Sequence, residues 1–311
     1  NPKNKVLLIE CGRRDDARYI KIPATFFKVI EKGQDIVAYV GEPSAQLNGR
    51  PNVVIQGKVI GGGSSVNAML YIRGHAEDYD SWERAGNPGW SYQDVLPVFK
   101  DLENNMELAD GFHGTAGELH VSETGYHHPL SRAFIRAAQE TGIPYNPDFN
   151  GAQQEGTGFY QTTTHDGGRW SSAEAFLRKA EGRANLEIMT DTRVARVLFE
   201  GKRAVGVALE NGTQIKAQAE VILCAGAIET PRLLQLSGVG DAQHLQSFGI
   251  GVVSDLPGVG QNYQDHLETT VQAVTRDPIS MFREDVGLKA AKHMLQYLMY
   301  RTGLLASNVV E

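Results

Sequence analysis

A run of three glycines and two serines, Gly61 to Ser65, lies between two apolar segments and constrains this chain more than any other feature. Val59–Ile60 come before the run, and Met69–Ile72 follow Asn67 after it. Glycine lets the main chain approach a ligand closely, and bare N–H groups with hydroxyls can bind phosphate or ring carbonyl oxygens. A flexible surface loop has a similar composition, but linkers are seldom bounded by buried segments. The run therefore indicates a loop that contacts a flat, anionic cofactor.

The segment from Gly226 to Gly240 predicts a turn and a helix at the end of a strand. It follows VILCA, residues 221–225, a continuous apolar run typical of a strand buried on both faces of a parallel sheet. Thr230-Pro231 is a suitable helix start, and Ser237-Gly238 is a suitable end. An anion binds well where a helix begins at the end of such a strand.

Residues 5–12 predict an apolar strand that ends at an acidic residue, Glu10. In dinucleotide-binding folds, a carboxylate at the tip of the second strand bonds the ribose hydroxyls of the adenosine. The alternative for Glu10 is a surface acid that closes a core strand.

Together these three segments resemble the glucose-methanol-choline (GMC) family of FAD-dependent oxidoreductases. Residues 57–80 are similar to the family's first signature, and residues 226–240 are similar to its second. Residues 168–171 and 256–262 add further similarity, so the resemblance spans nearly the whole chain. It implies an α/β fold in which a Rossmann-like FAD-binding domain with a β-meander is interleaved with an α+β substrate domain.

The resemblance also implies which residues bind FAD. Glu10 would hold the ribose, and the backbone of Val194 would contact the adenine, although core packing is the ordinary role of a single valine. The flavin and diphosphate would lie against the first signature, at Val59, Gly62, Gly63, Ser64, Asn67, Ala68, Met69 and Leu70. The family's optional covalent tether is a histidine just before the asparagine. Val66 occupies that position here, so we expect non-covalent FAD.

The activity that the resemblance implies is oxidation of a primary alcohol to an aldehyde by hydride transfer to flavin N5. Choline, aryl alcohols and medium-chain alcohols are the candidate substrates, and the electron acceptor could be oxygen, a quinone or a carrier. Glu311 could attract a quaternary ammonium ion, or it could be an ordinary exposed or structural acid. The alternatives are a hydroxynitrile lyase that keeps its FAD, and a catalytically silent fragment.

Two features of the family are not in this sequence. The GxGxxG turn after the family's first strand is absent, and the family's catalytic histidine lies in a C-terminal region beyond the position of Glu311. We therefore expect this chain to be part of a longer enzyme, and we assign no catalytic residue.

The organisation along the chain predicts four parts. Residues 1–80 would form the first part of the FAD-binding domain, with a lid and the signature loop, and residues 81–177 a helical insertion that contributes to the substrate domain. Residues 178–270 would form the second part of the FAD-binding domain. There, three β-rich runs separated by Gly201-Lys202 and by Asn211-Gly212, a strong hairpin signal, predict a β-meander. Residues 271–311 would begin the substrate-binding domain.

Two amphipathic helices are predicted outside the signatures. Residues 129–142 have apolar side chains at helical spacing with Gly142 as a stop. Residues 284–301 carry an apolar stripe that we expect to face the core.

Composition excludes several classes of partner. The net charge is -7 and no long Lys/Arg cluster occurs, which argues against nucleic acid. No apolar run reaches about 18 residues, so no transmembrane segment is expected.

Cys11 and Cys224 end predicted buried strands and would be structural. The histidines lack a spaced third ligand, so no metal site is expected. Localisation is unknown from the sequence; for a bacterial source we expect the cytoplasm or the periphery of the inner membrane.

Overall fold

The computed structural model describes residues 3–310 of the chain. They form two compact units. The first consists of Lys3, Arg13–Leu186 and residues 275–310, and the second of Asn4–Gly12 and Glu187–Val274. Helices and strands are mixed along the chain, consistent with an α/β protein. The finer division into four parts stays a prediction.

The helices and strands are short, and some are joined by long connections, such as the one from Asp255 to Gly287. In chain order they are β1 (Val6–Ile9), α1 (Arg18–Lys21), α2 (Phe26–Lys32), β2 (Ile36–Val40), β3 (Val53–Gly57), α3 (Ala76–Arg84), α4 (Tyr92–Leu102), β4 (Glu103–Asn105), β5 (Leu119–Val121), α5 (Pro129–Glu140), β6 (Thr164–His165), β7 (Gly168–Arg169), β8 (Leu186–Met189), β9 (Val194–Glu200), β10 (Arg203–Leu209), β11 (Gln214–Lys216), α6 (Gly226–Leu236), β12 (Val239–Gly240), α7 (Ala242–Ser247), β13 (Ser254–Asp255) and α8 (Gly287–Tyr300).

In the first unit, an antiparallel hairpin leads into the glycine run. Strand β2 pairs with β3, with Ile36 opposite Gly57 and Val40 opposite Val53. Immediately after β3, Val59 is buried in a small core with Ile20 and Val29. The run therefore starts from a strand end that is held on one side by the hairpin and on the other by the core.

In the second unit, β9, β10 and β11 form the predicted meander. The strands are antiparallel, with Val207 of β10 opposite Val197 of β9 and Ile215 of β11. Both turns use glycine in the left-handed region, at Gly201 (φ 59°) and Gly212 (φ 86°), as the turn signals predict. The strand predicted over residues 5–12 is also confirmed, because Val6–Ile9 form β1, which pairs with β8.

The prediction of a buried strand at residues 221–225 is wrong. These residues form no strand, Ile222 is 72% exposed, and Cys224 and Cys11 are both exposed rather than buried in the core. A strand requires a neighbouring strand for its backbone hydrogen bonds, and none of the strands among residues 3–310 pairs with this run. An apolar run shows that a segment can be buried, but it does not supply the partner that buries it.

The predicted helix of the second signature exists but begins earlier than expected. Helix α6 starts at Gly226, so Pro231 lies in its second turn rather than its first. Its end is as predicted, because Ser237 closes the helix and Gly238 has φ 88°. Helix α5 matches its predicted range closely, with Gly142 (φ 94°) two residues after its end.

Helix α8 corrects the expectation that its apolar stripe faces the core. Leu288 is 90% exposed and Leu298 is 65% exposed, whereas Tyr297 is buried. Helical spacing identified an apolar face without identifying what covers it. None of the helices formed by residues 3–310 is long and apolar enough to cross a membrane.

A buried charge network anchors the chain just beyond the glycine run, in the first unit. Arg73 donates from Nη2 to Glu103 Oε2 (2.6 Å) and from Nη1 to the carbonyl of Phe112 (2.7 Å). His113 places Nδ1 3.0 Å from Glu103 Oε1 and Nε2 3.1 Å from Asp148 Oδ2. A carboxylate can only accept, so an imidazole held between two of them carries a proton on each nitrogen.

The network shifts the pKa of both of its central groups. Burial alone would lower the pKa of His113, but its hydrogen bonds to Glu103 and Asp148 outweigh burial and raise the pKa above its ordinary value. Burial would raise the pKa of Glu103, but hydrogen bonds from His113 and Asn105 outweigh it and lower that pKa. Both shifts favour the charged pair in the folded state.

The same histidine belongs to a group of possible metal ligands that sequence spacing did not reveal. Asp110, His113 and Asp148 offer ligand atoms that lie within 4.8 Å of one another. A metal requires a ring nitrogen without its proton, and here both nitrogens donate to carboxylates. The geometry is that of a hydrogen-bonded imidazolium.

Replacing His113 should change the pH dependence of stability. Because the pKa of His113 is raised by folding, its stabilisation is complete below the unfolded pKa and is lost as pH rises through the folded pKa. We therefore expect the free energy of unfolding to fall as pH rises above the ordinary pKa of histidine and through the raised pKa of His113. His113→Gln should cost about 3 kcal/mol at the acidic end and should reduce that slope. Urea unfolding measures both quantities. Exposed His244 provides a control, and an equal effect of His244→Gln would contradict the assignment.

Candidate cofactor-binding site

The glycine loop folds back on the end of β3 at backbone distance. A Cβ on Gly57 would lie 2.5 Å from the carbonyl oxygen of Gly62, and a Cβ on Gly61 would lie 2.3 Å from Ser65 Oγ. Gly61 and Gly62 have φ values of 86° and 54°, in the left-handed region that favours glycine. Residues 62–65 then form one turn of 3₁₀ helix. The sequence predicted that a ligand approaches the main chain closely here. At Gly57 and Gly61, the closely approaching atoms belong to the protein itself.

Two buried residues fix the start of the loop. Val59 is fully buried, and the amide of Ile60 donates to the carbonyl of Arg13 (3.0 Å). The side chain of Val59 packs in the core with Ile20 and Val29. Val59 can therefore offer a cofactor only its backbone.

The outer side of the loop is open. A Cβ on Gly62 or Gly63 would meet no heavy atom within 4 Å, and Gly63 is exposed. The amide of Gly63 donates to no carbonyl of the part of the chain that the structure describes. A flat ligand can therefore lie directly on the main chain at these two glycines and accept a hydrogen bond from it.

The serine hydroxyls of the loop bond the protein itself. Ser65 Oγ donates to the carbonyl of Ile60 (2.7 Å), and Ser64 Oγ donates to the carbonyl of Gly61 (2.6 Å). Ser64 Oγ also accepts from the amide of Ser172 (2.9 Å). The sequence suggested that these hydroxyls would bind a ligand, but in the structure both hydroxyls bond the protein itself, and the carbonyl of Ser64 accepts from Arg169.

Asn67 to Leu70 leave the loop in a fixed conformation. Asn67 Oδ1 accepts from the amide of Met69 (3.0 Å), and the carbonyl of Met69 accepts from the amide of Thr163 (2.9 Å). Met69 is fully buried with φ 63°, a left-handed conformation that costs a non-glycine residue about 1 kcal/mol. The side chain of Asn308 donates to the carbonyl of Ala68. These bonds hold the segment against that backbone strain.

Arg169 of β7 is the residue that joins these parts. It is 3% exposed, and it donates from Nε to the carbonyl of Ile20 (2.8 Å) and from Nη1 to the carbonyl of Ser64 and Asn67 Oδ1 (2.9 Å each). No carboxylate of residues 3–310 forms an ion pair with it. Burial lowers the pKa of Arg169 to about 10, so the guanidinium is still charged at neutral pH. Its Nη2 is buried and has no acceptor within the described chain.

The two other predicted residues lie in the second unit. Glu10 follows β1, and its Oε1 accepts from the amide of Gly12 (2.7 Å). Its other carboxylate oxygen accepts no hydrogen bond among the described residues of this unit. Val194 is half-buried at the start of β9, opposite Leu209. In the same unit, helix α6 and residues 260–264 line a groove of about 580 Å³. The structure thus gathers the predicted residues from Val59 to Leu70 on one loop, and it places Glu10 and Val194 on the other unit.

Comparison with known proteins identifies the family. A family model described as GMC oxidoreductase matches residues 26–268. The chain belongs to the GMC oxidoreductase family. It is 42% identical over 312 residues to the oxygen-dependent choline dehydrogenase of Rhizobium johnstonii, covering 99% of this chain and 57% of that protein. It is also 42% identical over 319 residues to an alcohol dehydrogenase [acceptor] of Pseudomonas putida, covering 100% of this chain and 58% of that protein.

The fold agrees with this assignment. An FAD-dependent oxidoreductase from Chaetomium thermophilum superimposes with a TM-score of 0.87 and 33% identity, over 98% of this chain and 56% of that one. The family and this structural similarity support an α/β FAD-binding fold for the chain, with FAD as the cofactor. The residues present fit a flat cofactor, because the loop offers a free amide at Gly63 and an open glycine surface. The chain spans just over half the length of these relatives.

Sequence reasoning gave Arg169 no role beyond family similarity. Its partners Ser64 and Asn67 are more than 100 positions away, so no local pattern could show the pairing. The available signal was an arginine in the strand-like segment 168–171, which the family resemblance had already marked.

Gly57 and Gly63 should respond differently to alanine, although they lie in the same segment. Gly57→Ala places a Cβ against backbone, which cannot move aside as a side-chain end can, and should destabilise the protein by about 2 kcal/mol. Gly63→Ala points into open space at an ordinary φ and should change stability by less than about 0.5 kcal/mol. Urea unfolding without added FAD compares the two variants. Equal losses would mean that the close approach at Gly57 is not a constraint.

Proposed function

We propose that this chain is part of an FAD-dependent enzyme that oxidises a primary alcohol to an aldehyde. The observation that carries the proposal is the open glycine backbone at Gly62 and Gly63. It faces solvent with a free amide in a chain that is 42% identical to a choline dehydrogenase and an alcohol dehydrogenase.

Each predicted site residue has a part in holding the cofactor. Bound FAD supplies the acceptor for the hydride that leaves the carbinol carbon. The amide of Gly63 would donate to an oxygen of the cofactor, and Gly62 and the main chain of Val59 and Ser64 would let it lie close. Asn67 and the segment Ala68–Leu70 would contact the isoalloxazine.

In the second unit, Glu10 and Val194 would hold the adenosine part. The carboxylate oxygen of Glu10 that Gly12 does not use would accept from the ribose hydroxyls. The backbone of Val194 would contact the adenine. The proton released from the alcohol is assigned to no residue of this chain.

Choline, an aryl alcohol or a medium-chain alcohol is the proposed substrate, and oxygen, a quinone or a carrier is the proposed electron acceptor. The names of the two relatives support an alcohol in general. Glu311, which the sequence suggested as a partner for a quaternary ammonium ion, lies outside the described residues.

Flavin bleaching tests the reaction class. Under anaerobic conditions, choline, benzyl alcohol or a medium-chain alcohol should abolish the visible flavin absorbance of the FAD-loaded intact protein. tert-Butyl alcohol, which has no hydrogen on its carbinol carbon, should not. Retention of the flavin band with every primary alcohol would contradict the proposal. Cleavage of a cyanohydrin without bleaching would identify the lyase alternative instead.

The flavin should separate from the polypeptide on denaturation. Val66 occupies the position of the family's tethering histidine and packs against the core of Ile20, Val29 and Val59, so it cannot form a bond to the ring. After acid precipitation, the yellow colour should stay in the supernatant. Flavin absorbance that remains in the washed pellet would contradict non-covalent binding.

A further inference from the structure

The side chain of Asn67 can adopt only one orientation among its neighbours. Its Oδ1 lies 2.9 Å from Arg169 Nη1 and 3.0 Å from the amide nitrogen of Met69. A guanidinium and a backbone N–H can only donate. If the amide were reversed, its NH₂ group would face two donors. The oxygen must therefore point inward, and the NH₂ group points outward from an exposed residue.

We propose that Arg169 is a positioning residue that fixes Asn67 with its oxygen inward, so that Asn67 presents only N–H donors to the flavin. The inference rests on the proposed function, because the flavin is the ligand that this loop would hold. The recognised group is a hydrogen-bond acceptor, and the pyrimidine edge of the isoalloxazine offers carbonyl oxygens and ring nitrogens of that kind.

Arg169 is itself held by hydrogen bonds to the backbone, as a positioning residue requires. Its Nε is held by the carbonyl of Ile20 (2.8 Å) and its Nη1 by the carbonyl of Ser64 (2.9 Å). Ile20 is fully buried in the core of the unit. The planar guanidinium of Arg169 thus links the side chain of Asn67 to that core and fixes its orientation.

The charge of Arg169 is not explained by ion pairing. Its guanidinium is buried without a carboxylate partner among residues 3–310, and Nη2 has no acceptor there. A methionine or leucine would fill the same volume without this desolvation cost. Neither methionine nor leucine could donate a hydrogen bond to Asn67 Oδ1, as Arg169 does. The positive charge also polarises the Asn67 amide and makes its outward N–H groups stronger donors.

Asn67→Asp separates positioning from packing. The carboxylate keeps both inward hydrogen bonds and gains a charge partner in Arg169, but it presents an acceptor outward instead of donors. We expect the Tm of the FAD-free protein to rise by about 2 °C or more. We expect the dissociation constant for FAD, measured by quenching of flavin fluorescence, to increase by about tenfold. Asn211→Asp makes the same charge change at an exposed hairpin turn and should alter neither quantity.

Arg169→Met provides a second test, because it removes the donor that holds Asn67 Oδ1. If it folds, Asn67 is released, FAD binding weakens, and Asn67→Asp no longer raises Tm in that background. Arg169→Lys keeps a single ammonium donor in place of the planar guanidinium, so its FAD affinity should lie between those of Arg169→Met and the wild-type protein. If Arg169→Met does not fold, the Asn67→Asp result decides alone.

The two readouts distinguish the possible failures. A lower Tm for Asn67→Asp with unchanged FAD affinity would overturn the orientation of Asn67 and the role of Arg169. A wild-type protein that binds no FAD would overturn the proposed function and the flavin contact, while the Tm of Asn67→Asp would still test the Arg169–Asn67 pair.

Discussion

The loop that would hold FAD depends on one buried guanidinium. Arg169 has no carboxylate beside it in the described chain. Its Nε and Nη1 donate to oxygens of the protein, namely the backbone carbonyls of Ile20 and Ser64 and the side chain of Asn67, whereas Nη2 has no acceptor among the described residues. An isolated buried charge is tolerated only when it is hydrogen-bonded. The need to satisfy this charge therefore draws the glycine loop and the segment after it onto the same core.

Rigidity on the inner side leaves the outer side free for a ligand. The inner bonds use the serine hydroxyls, Asn67 Oδ1 and the amides of Met69 and Thr163, whereas Gly62 and Gly63 keep an open surface. A site whose backbone is already ordered loses less conformational entropy when it binds. The strained φ of Met69 belongs to this arrangement, since such conformations persist only where the surroundings fix them.

Local signals explain what the sequence could predict. The Asn211-Gly212 turn predicted the hairpin between β10 and β11, and the glycine run predicted a loop at which the main chain can be approached closely, because both features are set by neighbouring residues. What failed or was missed depends on distant partners. Residues 221–225 are apolar but pair with no strand of residues 3–310, the apolar stripe of α8 is exposed, and Arg169 contacts Ser64 and Asn67, which are distant in sequence. No periodicity in one segment specifies a contact of that kind.

Amide hydrogen exchange of the intact protein, with and without FAD, tests most directly whether this loop is a preformed cofactor surface. The amide of Gly63 has no partner within the described residues, so FAD should slow its exchange strongly. The amide of Met69 is already bonded to Asn67 Oδ1 and should exchange slowly in both states. Slow exchange at Gly63 only when FAD is bound is the predicted result. Exchange at Gly63 that is unaffected by bound FAD, or a Met69 amide that becomes protected only with FAD, would contradict the account.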